Sequence, residues 1–315
     1  MNRLRMVFCG TPRFAVPSLK KLLSQPEFEI LGVFTQPDRP KGRGQEVTFS
    51  AVKEVALAAA IPVQQPERIR APEIEEQLRA LLPDVVVIIA YGQIIPGRLL
   101  PIPRLGWINL HASLLPKYRG AAPIHWAIAN GESVTGNTTM RIDAGMDTGG
   151  TLLQQELAMG PDETSPELAE RLAEAGAELM VKTLYGLGSG NLSARPQDHS
   201  AASYAPILKR EDGRIDWQKP AQEIYNRMRG FTPWPGAYSE FRGQTCHLWG
   251  YPVSNEGSGE SPGALFLRQG ILQVVCGAAT VMELTHVKVE GRKKISAAEF
   301  ANGARLQVGE RLGKG

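Results

Sequence analysis

The sequence predicts an α/β protein in which a doubly wound, mostly parallel sheet is followed by a smaller β-barrel or sandwich. Three observations support this prediction. Short apolar runs alternate with amphipathic helical patterns through the first half of the 315 residues. The run DVVVIIAYG is continuously apolar and β-branched, as in a strand buried on both faces. After residue 207, short strand-like runs are separated by Gly-containing turns.

The elements of the first half follow in order along the chain. Strands are predicted for LRMVFCG, FEILGVFTQ, DVVVIIAYG and LGWINLHA. Helices are predicted over 14–23, over 50–60 with Ser50 as the N-cap, and over 72–82 with Pro72 in the first turn. The segments TTMRIDAGMD and GTLLQQELAM then predict a strand, a turn and a strand, and a helix should follow over 166–187.

The second half changes character at residue 188. The stretch from 188 to 206 is rich in small, polar and Pro residues and has no period, which favours a linker. A helix is expected over 221–229, and five short strand-like runs follow it. We therefore expect a first domain over 1–189, a linker over 190–207 and a second domain over 208–315.

Composition and charge narrow the class of protein. No apolar run approaches the roughly 18 residues of a membrane span, so no membrane association is expected. The three cysteines, Cys9, Cys246 and Cys276, are far apart, which argues against a disulfide framework or a zinc site and favours the cytoplasm. The segment from Leu208 onward contains 15 Lys and Arg residues and 11 Asp and Glu residues. This excess of basic over acidic residues is compatible with a nucleic-acid partner.

A pair of polar residues ends the strand LGWINLHA. Asn109 and His111 are two residues apart and so share one face of that strand. An Asn amide suits a developing oxyanion, and a His can exchange protons near neutral pH, so the pair suits acyl transfer to an amine. Alternatively, Asn109 and His111 are buried and only form hydrogen bonds with the backbone of a loop, without a catalytic role. Asp143 and Asp147 are both candidates for the carboxylate that would orient His111.

The segments NLHASLLPKYRGAAPI and DAGMDTG resemble the folate-dependent formyltransferase family. The segments GTPRFAVPSL, TQPDRPKGRGQ, AYGQIIP and RMRGFTPWPGAYS extend the resemblance over almost the whole chain, to the branch that acts on methionyl-tRNA. It implies a Rossmann-like formyltransferase domain followed by an OB-like barrel that binds tRNA. The implied reaction moves the formyl group of 10-formyltetrahydrofolate to the free α-amino group of methionyl-initiator tRNA, for translation initiation. The five histidines show no metal-ligand spacing, so no metal is expected, and we expect a monomer.

The resemblance also assigns roles to residues. Asn109, His111 and Asp147 match the catalytic trio of the family. The implied folate contacts are Ser113, Leu114, Leu115 and Pro116, with Tyr91, Gly92 and Ile94 enclosing the pterin ring. In the implied mechanism, Asn109 and protonated His111 stabilise the oxyanion while Asp147 orients His111; the identity of the base stays open. One position departs, because Gly150 stands where the family usually has Asp.

Two basic segments are candidates for tRNA binding. One is the loop that carries Arg39, Lys41 and Arg43. The other carries Lys288, Arg292, Lys293 and Lys294. An arbitrary basic loop is more often a solvated surface, but the resemblance favours phosphate contacts at both.

Other functions remain open at this point. An enzyme with the same trio could formylate an amino sugar nucleotide or hydrolyse formyl-tetrahydrofolate. A protein that binds RNA without catalysis is a second class. A nicotinamide dehydrogenase is the generic expectation for such a sheet, but the G-x-G-x-x-G fingerprint is missing after the first strand.

Overall fold

The computed structural model describes residues 3–41, 46–254 and 259–313. The chain forms two compact units. The first consists of Met1–Pro123, Val134–Met159 and Leu168–Pro206, and the second of Ile124–Ser133, Gly160–Glu167 and Ile207–Gly315. Two short segments from within the predicted first domain thus fold with the second unit, which the sequence pattern does not predict.

Alternating strands and helices build the chain up to Gly188. In order they are β1 (Leu4–Gly10), α1 (Val16–Leu23), β2 (Phe28–Phe34), β3 (Arg39–Lys41), β4 (Glu46–Thr48), α2 (Ala51–Ala58), β5 (Val63–Gln64), α3 (Pro72–Leu81), β6 (Val85–Ile89), β7 (Trp107–His111), α4 (Pro123–Ala129), β8 (Val134–Arg141), β9 (Thr151–Ala158) and α5 (Ser165–Gly188). The predicted strands and helices of this half are all present, with ends displaced by a few residues.

Seven of these strands form one sheet in the order β5-β2-β1-β6-β7-β8-β9. The first five are parallel, and β8 and β9 are antiparallel to their neighbours. Met6 and Phe8 of β1 join the core on one face of the sheet, and Val7 and Cys9 join the core on the other. Burial on both faces explains the continuous apolar runs and confirms the doubly wound, mostly parallel sheet.

Ser50 begins α2 as predicted. Its Oγ accepts a hydrogen bond from the Lys53 amide at 3.1 Å, which satisfies one of the free N–H groups at the helix start. The same hydroxyl lies 2.8 Å from Thr35 Oγ1, so Ser50 also ties the helix to the end of β2.

We expect Ser50→Ala to lower the free energy of unfolding by about 1 kcal/mol, because the capping bond is lost. Chemical denaturation of the wild type and the variant measures the difference. Ser193→Ala is the matched control, since Ser193 is exposed outside any helix. Equal stability of all three proteins would contradict a capping role for Ser50.

The segment expected to be a linker packs on the first unit instead. Thr151 and Arg195 exchange two backbone hydrogen bonds of 2.8 Å, and the Ala205 amide donates to the Arg119 carbonyl at 2.7 Å. These bonds satisfy the backbone of a stretch that has no helix or strand period, and they hold 195–205 beside the loop after β7. The change of unit falls at Pro206 and Ile207.

The second unit contains a six-stranded antiparallel sheet, as the fold prediction requires. Its elements in order are α6 (Ala221–Gly230), β10 (Tyr238–Phe241), β11 (Gln244–Val253), β12 (Leu265–Arg268), β13 (Ile271–Val275), β14 (Val281–Val289), β15 (Ile295–Ser296) and α7 (Ala297–Ala304). The strand order is β10-β11-β14-β13-β12, with β15 beside β14. Residues of α6 and α7 share one core with the sheet, which includes Trp217, Leu248 and Phe300.

All three cysteines are free and buried. Burial raises the pKa of the Cys246 thiol to about 11 and that of Cys276 to about 12, so both are inert protonated thiols near neutral pH. Among the helices of the described residues, none has the length and apolar character needed to span a membrane.

Candidate active site

Asn109 and His111 lie on β7, the last of the parallel strands in the sheet. Asn109 pairs with Ile88 of β6 on one side and Met140 of β8 on the other, which fixes its backbone at the carboxyl end of the sheet. Leu110 points into the core, so both polar neighbours face the opposite way. In the part of the chain that the structure describes, the Asn109 side-chain amide has no hydrogen-bond partner and is only half-buried. That amide is available to a ligand.

His111 is held in one orientation by a backbone carbonyl. Its ring is 6% exposed, and Nε2 lies 2.9 Å from the Tyr118 oxygen. A carbonyl oxygen only accepts hydrogen bonds, so Nε2 carries the proton in this bond. In the neutral ring, Nδ1 then has the free lone pair. Nδ1 is therefore the ring atom that can exchange a proton with a ligand or a neighbour.

Asp147 faces that ring nitrogen. Asp147 Oδ2 lies 3.7 Å from His111 Nδ1 and accepts a hydrogen bond from the Gly120 amide at 2.8 Å. Its backbone is in the left-handed region, with φ 51°, at the end of the loop between β8 and β9. This conformation is uncommon outside glycine, although Asp adopts it more readily than most residues. It turns the carboxylate back toward β7.

Asp143 lies in the same loop but has a different role. Its Oδ1 accepts hydrogen bonds from the Gly145 amide at 3.0 Å and from Thr148 Oγ1 at 2.7 Å. These contacts close the turn, as expected for a turn aspartate. Of the two candidate carboxylates, the structure brings Asp147 to His111.

The predicted folate segment 113–116 is a rigid loop beside β8. The Leu115–Pro116 peptide bond is cis. Thr138 Oγ1 donates to the Ser113 carbonyl at 2.6 Å and accepts from the Leu115 amide at 3.0 Å, and Gln154 Nε2 donates to the Leu115 carbonyl at 2.7 Å. The Ser113 hydroxyl is used within the loop, where it donates to the Lys117 carbonyl. Leu114 and Pro116 remain half-buried and can contact a ligand.

The second predicted folate segment follows β6. Ala90 and Gly92 have positive φ, and the turn exposes Ile94 to 88%. The Tyr91 ring, in contrast, is buried in the core, so only the backbone of Tyr91 can reach a ligand. Its carbonyl oxygen accepts from Thr11 Oγ1 and from Gln36 Nε2. Thr11, Gln36 and Gln154 contribute polar side chains to this region, and no local sequence pattern marks Gln36 or Gln154 as a site residue.

Gly150 stands where the resemblance leads us to expect an Asp. A Cβ at Gly150 would lie 3.0 Å from the Ala194 Cβ and 3.1 Å from the Arg195 carbonyl oxygen. These distances are tighter than ordinary contacts, so an Asp here would displace the 194–195 segment. The glycine therefore fits the close approach of that segment in this chain.

The structure describes only some of the residues that are predicted to bind tRNA. Arg39 is exposed on β3, whereas the side chain of Lys41 and the whole of Arg43 lie outside the described residues. Lys288, on β14, and Arg292, Lys293 and Lys294, in the turn after it, are all exposed. Lys294 Nζ lies 4.2 Å from the centre of the Trp249 ring, which orders that side chain by a cation–π contact.

The chain belongs to the formyltransferase family. A family model described as formyl transferase matches residues 3–184, and one described as formyl transferase, C-terminal domain, matches residues 207–305. Within that family, the sequence is 52% identical over 312 residues to the methionyl-tRNA formyltransferase of Solibacter usitatus, with 99% of each chain covered. It is 48% identical to the methionyl-tRNA formyltransferase of Geobacter sulfurreducens over 316 residues, covering 100% of this chain and 98% of that one.

Solved structures show the same fold at low sequence identity. WlaRD, a sugar 3N-formyltransferase, matches with a TM-score of 0.66 at 20% identity, over 93% of this chain and 100% of its own. HypX from Aquifex aeolicus, in complex with tetrahydrofolic acid, matches with a TM-score of 0.63 at 16% identity, over 98% of this chain and 48% of its own. These two proteins therefore share the fold of this chain.

Proposed function

We propose that this protein transfers the formyl group of 10-formyltetrahydrofolate to the α-amino group of methionyl-initiator tRNA, giving N-formylmethionyl-tRNA for translation initiation. One observation carries the proposal: His111 and Asp147 face each other at the carboxyl edge of the sheet, and Asn109, whose amide has no partner among the described residues, lies on the same face of β7 as His111. About half of the residues are identical to those of methionyl-tRNA formyltransferases along the whole chain, which supports methionyl-tRNA as the acceptor.

The residues at this edge fit a folate. Ile94, Leu114 and Pro116 offer apolar surface to a flat bicyclic ring, and backbone groups of the positive-φ turn at Ala90–Gly92 can match its polar edge. When bound, the folate supplies the formyl carbonyl that accepts the amine. We assign Ser113–Pro116 and the backbone of Tyr91 and Gly92 to this contact.

The catalytic residues then have separate tasks. The Asn109 amide donates to the formyl oxygen as negative charge develops there. The attacking α-amino nitrogen must lose a proton, and the departing nitrogen must gain one. His111 Nδ1 is placed to carry that proton, since Nε2 is committed to the Tyr118 carbonyl. Asp147 stabilises the imidazolium that forms and is itself fixed by the Gly120 amide.

Basic side chains supply the tRNA contact. We assign Arg39, Lys41 and Arg43 to one contact segment and Lys288, Arg292, Lys293 and Lys294 to another. The second group is exposed on one strand and its following turn, so its charges can approach phosphates and release counterions. We further propose that the protein acts as a monomer in the cytoplasm.

We expect the double variant Arg292→Gln/Lys293→Gln to raise KM for tRNA several-fold and to leave kcat unchanged. The slope of log kcat/KM against log salt should flatten by about 1–2, as two phosphate contacts are lost. Lys20→Gln/Lys182→Gln removes the same charge from exposed sites elsewhere and is the control. An unchanged salt slope in the Arg292/Lys293 variant would refute the assignment.

An acceptor comparison tests the proposed function. Purified protein with 10-formyltetrahydrofolate is given methionyl-initiator tRNA, methionyl-elongator tRNA, a dTDP-linked amino sugar or no acceptor. We expect a kcat/KM for initiator tRNA far above that for any other acceptor. Preference for the sugar nucleotide, or release of formate without an acceptor, would replace the proposal by the sugar-transferase or hydrolase alternative.

A further inference from the structure

Gln197 lies 50 residues from Asp147 in the sequence, in the segment that packs beside the loop after β7. Its side chain is 8% exposed. Its Nε2 donates to two carbonyl oxygens of the loop between β8 and β9, that of Asp147 at 2.9 Å and that of Gly149 at 2.7 Å. One buried amide therefore holds the backbone on which the Asp147 carboxylate turns.

The other end of the same amide holds a second loop. Gln197 Oε1 accepts from Arg119 Nε at 3.1 Å and from Arg119 Nη2 at 2.6 Å. Arg119 is only 2% exposed, and His199 Nδ1 lies 3.2 Å from the same Nη2. In the part of the chain that the structure describes, no carboxylate lies within ion-pairing distance of this guanidinium. The Gln197 oxygen is thus a principal partner of a buried cation.

Arg119 stands between two residues that touch the catalytic groups. Tyr118 accepts from His111 Nε2, and the Gly120 amide donates to Asp147 Oδ2. A shift of the Arg119 backbone would therefore move the partner of His111 and the partner of Asp147 together. The backbone of Arg119 is also bound to the carbonyl of Ser203 and the amide of Ala205.

We propose that Gln197 is a positioning residue for formyl transfer, which clamps the loop of Asp147 to the loop of Tyr118–Gly120 and so sets the distance between His111 and Asp147. The proposal rests on the function proposed above. It goes beyond the catalytic trio because Gln197 forms hydrogen bonds with neither the ring of His111 nor the carboxylate of Asp147. A misplacement of about 1 Å at a catalytic group can cost on the order of 10²-fold in rate.

The amide has two different ends, and this permits a selective test. Gln197→Glu keeps an oxygen that accepts from Arg119, so the buried cation stays paired. The same change removes both hydrogen bonds to the carbonyls of Asp147 and Gly149 and puts a carboxylate oxygen against them. Gln197→Met, which has similar length and no charge, removes the clamp from both ends. Gln25→Glu, at a helix end away from this loop pair, controls for the charge change.

The experiment measures kcat and both KM values for the wild type and these variants, with thermal melting as the measure of folding. We expect kcat to fall on the order of 10- to 10²-fold in Gln197→Glu, with KM for tRNA within about twofold of wild type. If Gln197→Glu does not melt cooperatively, Gln197→Met gives the measurement. Gln25→Glu should equal the wild type.

A double-mutant cycle separates positioning from general destabilisation. In an Asp147→Asn background, Gln197→Glu should cost less than about threefold, because the group it positions is already impaired. An equal loss in both backgrounds, or a kcat for Gln197→Glu and Gln197→Met within twofold of an active wild type, would overturn the inference alone. No transfer by the wild type would overturn the proposed function and the inference with it.

Discussion

Asn109→Ala is expected to lower kcat on the order of 10²- to 10³-fold, the usual loss when one donor to an oxyanion is removed. Asn109 is half-buried on β7, and its amide has no partner among the described residues, so the change removes no side-chain hydrogen bond to any of them. Its cost should therefore fall on the reaction rather than on folding. KM for either substrate should change much less than kcat, because the bond is strongest when the oxygen is charged.

Single-turnover transfer at saturating substrate gives the rate constant of the transfer step, which is the step that the loss of this donor slows. Asn191→Ala is a suitable control, since Asn191 is exposed in the segment after α5. Asn109→Asp is informative as well, because it keeps the size of the side chain and replaces the donor by an acceptor. Near-normal turnover in Asn109→Ala, with a normal melting temperature, would rule out the oxyanion role.

His111→Ala is expected to cost on the order of 10²- to 10⁴-fold in kcat, the range for a residue that transfers protons in the transition state. This loss is expected because one ring atom of His111, Nδ1, carries the proton. Nε2 is bonded to the Tyr118 carbonyl, so the proton that moves is carried by Nδ1, opposite Asp147.

Added imidazole provides a positive test of the same role. The buried ring leaves a cavity between Tyr118 and Asp147 when it is removed, and a free imidazole of the same size can enter it. Partial recovery of turnover with imidazole, and none with a neutral amide of similar size, is the expected result. A kcat of His111→Ala within about tenfold of the wild-type value would show that another group moves the proton.

The sheet and its edge follow from local patterns in the sequence. The run VVVII predicts a strand buried on both faces, and the i, i+2 spacing predicts that Asn109 and His111 share a face; both features are present. Ser50 likewise predicts the start of α2 from a local pattern, because an N-cap side chain bonds to a backbone amide only three residues away. A similar signal, Ser296 with Glu299, marks the start of α7, which the sequence analysis leaves unassigned.

The rest of the site depends on contacts between distant segments. The choice between Asp143 and Asp147 rests on a left-handed φ and on a bond to Gly120, neither of which has a period to detect. The prediction of a linker over 190–207 rests on the absence of a period, whereas residues 195–205 are ordered by backbone bonds to Arg119 and Thr151 that no local pattern signals. No local pattern marks Gln197 either, because its hydrogen-bond partners Arg119 and Asp147 are distant in the sequence.

The most direct measurement follows the fate of the formyl group in one turnover. Labelled 10-formyltetrahydrofolate is mixed with excess wild-type protein and methionyl-initiator tRNA, the tRNA is deacylated, and the released amino acid is identified by mass spectrometry. We expect the label in N-formylmethionine with the wild type, and its appearance on the order of 10²- to 10⁴-fold more slowly with His111→Ala. Label that leaves as free formate, or that reaches methionine at the same rate in His111→Ala, would contradict a formyl transfer carried out by this site.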